Sequence, residues 1–263
     1  MKEVSLKKIK GMAVAVVLAA FAISLTLPVR AAGKKTTVYV VTQIRSKDNT
    51  GGTECYKMTY NSKGFVTKTK MGEAAPTTTE HIYKNGRIVK DIQTDGKEKT
   101  EIRYSYNKKG RITKVIGTDN DGKEYVSTLK YKNGMLAQMK DGSTGYIWTF
   151  TNKKGLARKL VIKGTDGKKQ TIRYSYDSKK EISKMDCPDV IQKMKYKYSS
   201  NRRKSMTVSY EYKNKADQKY NSKSTYKYTY KKMKVSSANL SKIKKQQKQL
   251  LNQGGAFLFV VDY

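Results

Sequence analysis

A single imidazole, His81, is the first residue that could do acid–base or metal chemistry, and no second histidine is present to complete a ligand set or a triad. It is read as an exposed hairpin histidine with a structural or incidental role. Gly142-Ser143-Thr144-Gly145 is no nucleophile elbow, because that turn needs a glycine two before and two after the serine. The acidic stretch Asp119-Asn120-Asp121-Gly122-Lys123-Glu124 lacks the spaced oxygen ligands of a calcium loop and carries a lysine inside it, so it is read as a longer hairpin turn. Nothing marks out two carboxylates as a glycosidase pair. With one His, two Cys and three Pro in 263 residues, the expectation is a non-enzyme with no catalytic residue, metal or cofactor.

Charge and aromaticity carry the stronger signal. Lys and Arg number 56 against 21 Asp and Glu, a formal net charge of +35, and there are 20 tyrosines. In KMKYKYSSNRRK (193–204) and YKYTYKKMK (226–234) the two types alternate. A strand would send Lys193, Lys195, Lys197 and Lys227 to the face opposite the tyrosines, with Arg202, Arg203, Lys204, Lys231 and Lys232 at the turns. Lysines on edge strands oppose aggregation, but an excess of this size and one sign goes beyond what solubility needs and attracts polyanions. These nine residues are the candidate polyanion-binding set.

The elements that must position them come from a repeat. YSYNKKGRITK (104–114) has relatives at 58–68, 82–90, 129–140, 150–159 and 174–184, and its anchoring aromatic recurs at Tyr60, Tyr83, Tyr106, Tyr131, Phe150 and Tyr176. Between anchors fall Asp95-Gly96, Asp121-Gly122, Asp141-Gly142 and Asp166-Gly167. Each repeat thus holds two tight turns, one Asn-centred and one Asp-Gly, whose residues tolerate the positive φ that hairpin turns require. Apolar side chains two apart, as in Ile102, Tyr104, Tyr106 and in Ile172, Tyr174, Tyr176, define strands with one aromatic and one polar face. The fold class expected is mainly β: an antiparallel meander of a dozen or more strands in a strongly twisted or partly closed sheet. Residues 238–252 place Leu240, Ile243, Leu250 and Leu251 on one helical stripe that packs over the sheet. A final strand, Phe257 to Val261, is expected to pair with the first, Val38 to Val41.

The pattern Y-x-Y-[ND]-x-x-G-R-[IL], fullest at Tyr104 to Ile112 and present in reduced form at Tyr174 to Ile182, resembles the YD repeat of RHS-like bacterial extracellular proteins, over roughly residues 55–185. That resemblance implies β-hairpins in a continuous sheet outside the cell. Asp fills its key position only at Asp177, Arg follows Gly only at Arg87 and Arg111, and the toxin core such shells enclose is missing, so the resemblance does not extend to toxin delivery.

Residues 1–31 read as a signal peptide: Lys2, Lys7, Lys8 and Lys10 precede the uncharged run 11–27, and Val29 and Ala31 suit cleavage after Ala31. An uncleaved membrane anchor is the lesser alternative. Residues 32–236 form the hairpin-repeat domain and 237–263 the helix and final strand. Export to an oxidising compartment would let Cys55 and Cys187 pair, or leave them as two unrelated thiols. The functional expectation is a secreted binding or structural protein retained at the cell envelope by anionic wall polymer or, non-specifically, by extracellular nucleic acid. The alternatives are a surface adhesin or glycan-binding module with exposed tyrosines and, last, an extracellular hydrolase.

Overall fold

In the computed structural model, residues 35–253 are described apart from 74 and 119–121, and beyond residue 247 only the course of the backbone. The leader 1–31, the strand expected at 257–261 and the core of the acidic loop at 119–121 lie outside the described residues. Sixteen strands follow in chain order: β1 (Lys35–Asp48), β2 (Thr53–Tyr60), β3 (Val66–Met71), β4 (Thr77–Lys84), β5 (Arg87–Asp95), β6 (Glu98–Tyr106), β7 (Ile112–Thr118) and β8 (Glu124–Lys132) make the first half. The second half is β9 (Met135–Lys140), β10 (Ile147–Lys153), β11 (Leu156–Lys163), β12 (Lys169–Tyr176), β13 (Ile182–Asp186), β14 (Val190–Ser199), β15 (Arg202–Tyr212) and β16 (Ser222–Ser236). One helix, α1 (Leu240–Gln253), follows. Every strand pairs antiparallel with its chain neighbours, and β1 pairs with β16 from Lys35↔Ser236 to Asp48↔Ser224. The sheet is therefore a closed barrel, which corrects the expectation of a twisted or partly closed sheet. Its edges are removed by pairing.

What curls the meander is a bulge in each of the seven hairpins that turn at one rim. Register shifts at Thr59/Tyr60, Ile82/Tyr83, Ser105/Tyr106, Lys130/Tyr131, Thr151/Asn152, Ser175/Tyr176 and Lys197/Tyr198 each insert one extra residue into the odd-numbered strand just after the Asn- or Asp-centred turn. A bulge raises local twist and bends its strand, and repetition around the sheet brings β16 to β1.

Between one hairpin and the next, the pairing stops short at the same rim. It begins at Lys68↔Glu80, Lys90↔Arg103, Lys159↔Arg173, Lys184↔Lys193 and Ser205↔Lys227, leaving the carbonyl two residues earlier without a strand partner. The repeat tyrosine supplies the missing bond. Tyr83 donates to Val66 O at 2.7 Å, Tyr106 to Ile88 O at 2.5 Å, Tyr176 to Ala157 O at 2.7 Å, Tyr196 to Ile182 O at 2.6 Å and Tyr230 to Arg203 O at 2.7 Å. Tyr60 does the same for Val41 O, and Asn152 donates through its amide to Leu136 O at 2.8 Å. A buried carbonyl without a partner costs free energy on the scale of a lost hydrogen bond, so the second tyrosine of Y-x-Y closes the seam between hairpins. The turn arginine caps that ring from above: Arg87 lies 5.6 Å over Tyr106, Arg111 5.6 Å over Tyr131 and Arg158 5.0 Å over Tyr176.

At the β1–β2 and β3–β4 seams α1 completes the rung. Gln247 accepts from Val41 N–H at 2.6 Å and donates to Tyr60 OH at 3.0 Å; Gln246 accepts from Val66 N–H at 3.0 Å and donates to Tyr83 OH at 2.8 Å. The helix was expected to pack through an apolar stripe, and Ile243 is indeed buried against Val235 and Gly64. Its docking also rests on two adjacent glutamines.

Candidate functional site

Alternation around a closed barrel decides which residues meet water. Cross-strand partners place Tyr174, Met185, Gln192, Met194, Met206, Val208 and Tyr226 on the inward face, all covered, as in a core and unlike the wall of an aqueous channel. The outward set reads Lys57 on β2, Lys68 and Lys70 on β3, Glu80 on β4, Lys90 on β5, Glu101 and Arg103 on β6, and Lys114 on β7. It continues through Lys130, Lys159, Arg173, Lys184, Lys193, Lys195, Lys197 and Lys227. A strand wall facing hydrocarbon carries an apolar band about 25 Å tall, and each Lys or Arg at mid-depth costs about 2–4 kcal/mol. Ile82, Ile92, Ile116, Val126, Ile147, Val161 and Ile191 also point outward, but they are interspersed with these charges, so the described wall carries no continuous apolar band.

Four of the nine sequence-predicted cations share one outer patch. Lys197 lies opposite Ser205, Ser205 opposite Lys227, and Lys227 opposite Arg45. In the next row Lys195, Thr207, Thr225 and Lys47 follow one another, and in a third Lys184, Lys193, Ser209 and Lys223 do so. Neighbouring strands stand about 4.8 Å apart and successive outward residues about 6.8 Å apart, giving a grid of ammonium groups interleaved with hydroxyls. Acids meet it at its margins: Glu211 meets Lys193 at 2.7 Å, Glu73 meets Arg45 at 3.1 Å, and Asp186 meets Lys213 at 2.7 Å and Lys184 at 4.0 Å. The hydrogen bond from Lys213 holds the Asp186 carboxyl below its ordinary range. Among the described residues, Lys195, Lys197 and Lys227 have no acid within ion-pair distance. Arg45, Lys47, Lys184 and Lys223 were missed because their membership depends on the β16–β1 closure and on register, not on a local tract.

The other five scatter. Arg202 stands at the rim with its guanidinium 4.1 Å over Tyr39, Lys204 follows it, and Lys231 and Lys232 lie within β16 opposite Val40 and Tyr39 instead of at a turn, Lys231 being 5.7 Å over Tyr60. Arg203 leaves the cationic surface altogether. It points inward, 2% exposed, paired with Glu181 at 2.9 Å and set 4.4 Å over Tyr196 and 5.8 Å over Tyr228. The bulge at Lys197/Tyr198 explains the difference, since one extra residue flips the side of everything before it.

One further expectation changes, and one open alternative is decided. His81 is not exposed: its Nδ1 lies 2.7 Å from Asp91 Oδ1, and Tyr104 donates to Asp91 Oδ2 at 2.7 Å, all three buried inside the barrel on adjacent strands. The partners were invisible in sequence because register, not proximity along the chain, sets His81 opposite Asp91. Cys55 and Cys187 are free thiols, on β2 and in the β13–β14 turn with β1, β16 and β15 between those strands; Cys55 accepts from Gln43 Nε2 at 3.0 Å, and burial pushes the Cys187 thiol up to about 11. Gly142–Gly145 is an ordinary turn in which Asp141 Oδ1 accepts from Ser143 N–H at 2.8 Å and Ser143 Oγ–H at 2.7 Å. Among the described residues no group of three His, Cys, Asp or Glu is placed to hold a metal ion.

No family description and no curated protein matches the chain. Among solved structures it is similar to a porin-like protein from Bacteroides uniformis ATCC 8492, with TM-score 0.55 and 16% identity, over 73% of this chain and 98% of that one. A TcdB2-TccC3-Cdc42 complex is similar over 59% of this chain and 9% of that one, with 15% identity and TM-score 0.34, too partial to bear on fold or role. What the porin-like protein shares with this chain is the fold, a closed antiparallel barrel.

Proposed function

We propose that this is an exported, non-enzymatic barrel held at the cell envelope by electrostatic attraction between its cationic outer surface and anionic polymers. The observation that carries the reading is the three-row grid of Arg45, Lys47, Lys184, Lys193, Lys195, Lys197, Lys223 and Lys227 on the outer wall. The leader-like segment 1–31 supports export, and a net charge of +35 supports long-range attraction to polyanions. Retention is by charge, since outward lysines oppose insertion into a bilayer. Glycan stacking on a tyrosine stripe loses its surface: among the described residues only Tyr39, Tyr146 and Tyr220 are exposed tyrosines, on separate elements.

A salt titration of the chain on immobilised anionic wall polymer, with neutral polysaccharide in parallel, tests the reading. Release within roughly a few hundred millimolar salt, where the screening length falls well below 10 Å, with no neutral binding, is expected. Salt-resistant binding to the neutral glycan would refute it.

A further inference from the structure

In an up-and-down barrel successive turns alternate between the two rims, so the alternation of Asn-centred and Asp-Gly turns becomes an axial separation of charge. One rim gathers Lys63, Lys84, Lys108, Lys109, Lys154, Lys179 and Lys180, with Asp177 and Glu181 as its turn acids. The other gathers Asp48, Glu73, Asp95, Glu98, Asp141, Asp166, Asp189 and Asp217 among its lysines. Because β16 ends at the basic rim, α1 adds Lys242, Lys244 and Lys245 there.

The basic rim also holds a cleft of about 560 Å³ between the start of α1 and the turns at 61–65 and 85–86. Lys63, Lys242, Asn61, Asn85, Asn239 and Ser62 line it, with no acidic residue among the lining. Gly86, at φ +72°, lets Lys242 lie against the turn: a Cβ there would stand 3.2 Å from Nζ. Phe65 and Tyr83, stacked at 5.5 Å and 29°, form the floor. That floor is rigid, because Tyr83 OH is fixed by Val66 O and Gln246 and Asn61 Oδ1 accepts from Lys63 N–H at 3.1 Å and Phe65 N–H at 3.0 Å. Phe65 is only 6% exposed, so it offers no open face on which a nucleobase could stack. Two cations beside several amides and a hydroxyl match one acidic group flanked by hydroxyls.

We propose that this cleft is the specific docking point for an acidic, hydroxyl-rich glycopolymer, which meets the barrel end-on while the wall grid supplies unspecific attraction. The inference rests on the polyanion reading and adds a site to it. The acid is either a phosphodiester or a uronate, and the two are separated by the probes.

The test compares the unaltered chain, Lys63→Ala/Lys242→Ala and the charge-matched wall variant Lys195→Ala/Lys197→Ala, each titrated with oligo(glycerol phosphate), oligoglucuronate and single-stranded DNA of equal charge. The cleft variant is expected to lose about tenfold or more in affinity for one of the two glycopolymer probes, and the wall variant about two- to threefold. Backbone amide shifts of Gly64, Asn85 and Gly86 in the unaltered chain should move with that probe, a readout that does not depend on a variant folding. Equal losses in the two variants, or shifts confined to β14–β16, would overturn the cleft and leave the polyanion reading standing. An equal cleft-dependent affinity for DNA would overturn the glycopolymer assignment. Absence of binding to all three probes would overturn both readings.

Discussion

Replacing Tyr83 by Phe removes one oxygen and leaves the ring against Phe65, so it isolates what the seam hydroxyl contributes. That oxygen donates to Val66 O and accepts from Gln246 Nε2, and both partners are buried, Val66 fully and Gln246 at 5% exposure. A buried polar group left unsatisfied costs about 1–3 kcal/mol. With two groups stranded and some relaxation of the glutamine, the expected loss is about 2–4 kcal/mol. Urea unfolding followed by Trp148 fluorescence measures it, with the midpoint lowered and the slope unchanged. Tyr220→Phe, at a site 60% exposed, is the control and should stay within about 0.5 kcal/mol. A double-mutant cycle with Gln246→Ala should return a coupling of about 1 kcal/mol or more, because the two side chains share a bond. If Tyr83→Phe is no more destabilising than Tyr220→Phe, the hydroxyls do not hold the seams and closure must rest on ring packing alone.

Asp91→Ala strands both His81 and Tyr104 in the barrel and is expected to cost about 3–5 kcal/mol by thermal unfolding, with Asp91→Asn costing less; equal, small effects would refute the buried cluster. Burial pushes Tyr210 and Tyr230 up to about 12, and other inward tyrosines higher. Groups raised in this way favour the fold fully below the unfolded value near 10, and that contribution is lost as pH climbs from about 10 to about 12, since only the unfolded chain then ionises. Phenolate absorbance of the folded chain should therefore lag that of the urea-unfolded chain across this window, and superimposed curves would count against buried tyrosines. Cys55 and Cys187 should label slowly at pH 8 in the folded state and yield two thiols on unfolding without reductant, whereas recovery of none would mean a disulfide.

Much of the fold is legible locally. Period-two alternation through Ile172, Tyr174 and Tyr176 marks a strand because successive side chains point to opposite faces, and the turns at Asn107–Gly110 and Asp95–Gly96 follow from residues that tolerate positive φ. Lys193, Lys195, Lys197 and Lys227 fall on the outer wall as alternation requires. The same argument misplaces Arg203, because it carries no information about the bulge that shifts the phase. It also misreads His81, whose partner Asp91 is an unremarkable acid ten residues along until β4 and β5 pair. Gln246 and Gln247 look like the solvated side of a helix, and only the seams give their amides something to bond.

By itself, then, the sequence determines strands, turns and the sidedness of each hairpin, because these depend on backbone sterics and on neighbours within a few residues. Only the tertiary structure decides that the meander closes, that Tyr83 and its counterparts replace missing rungs, that Arg45 and Lys47 join Lys197 and Lys227, and that basic turns share one rim. Those outcomes depend on small twists added up over sixteen strands and on contacts between residues more than two hundred positions apart, such as Val41 and Gln247. No local pattern records such sums.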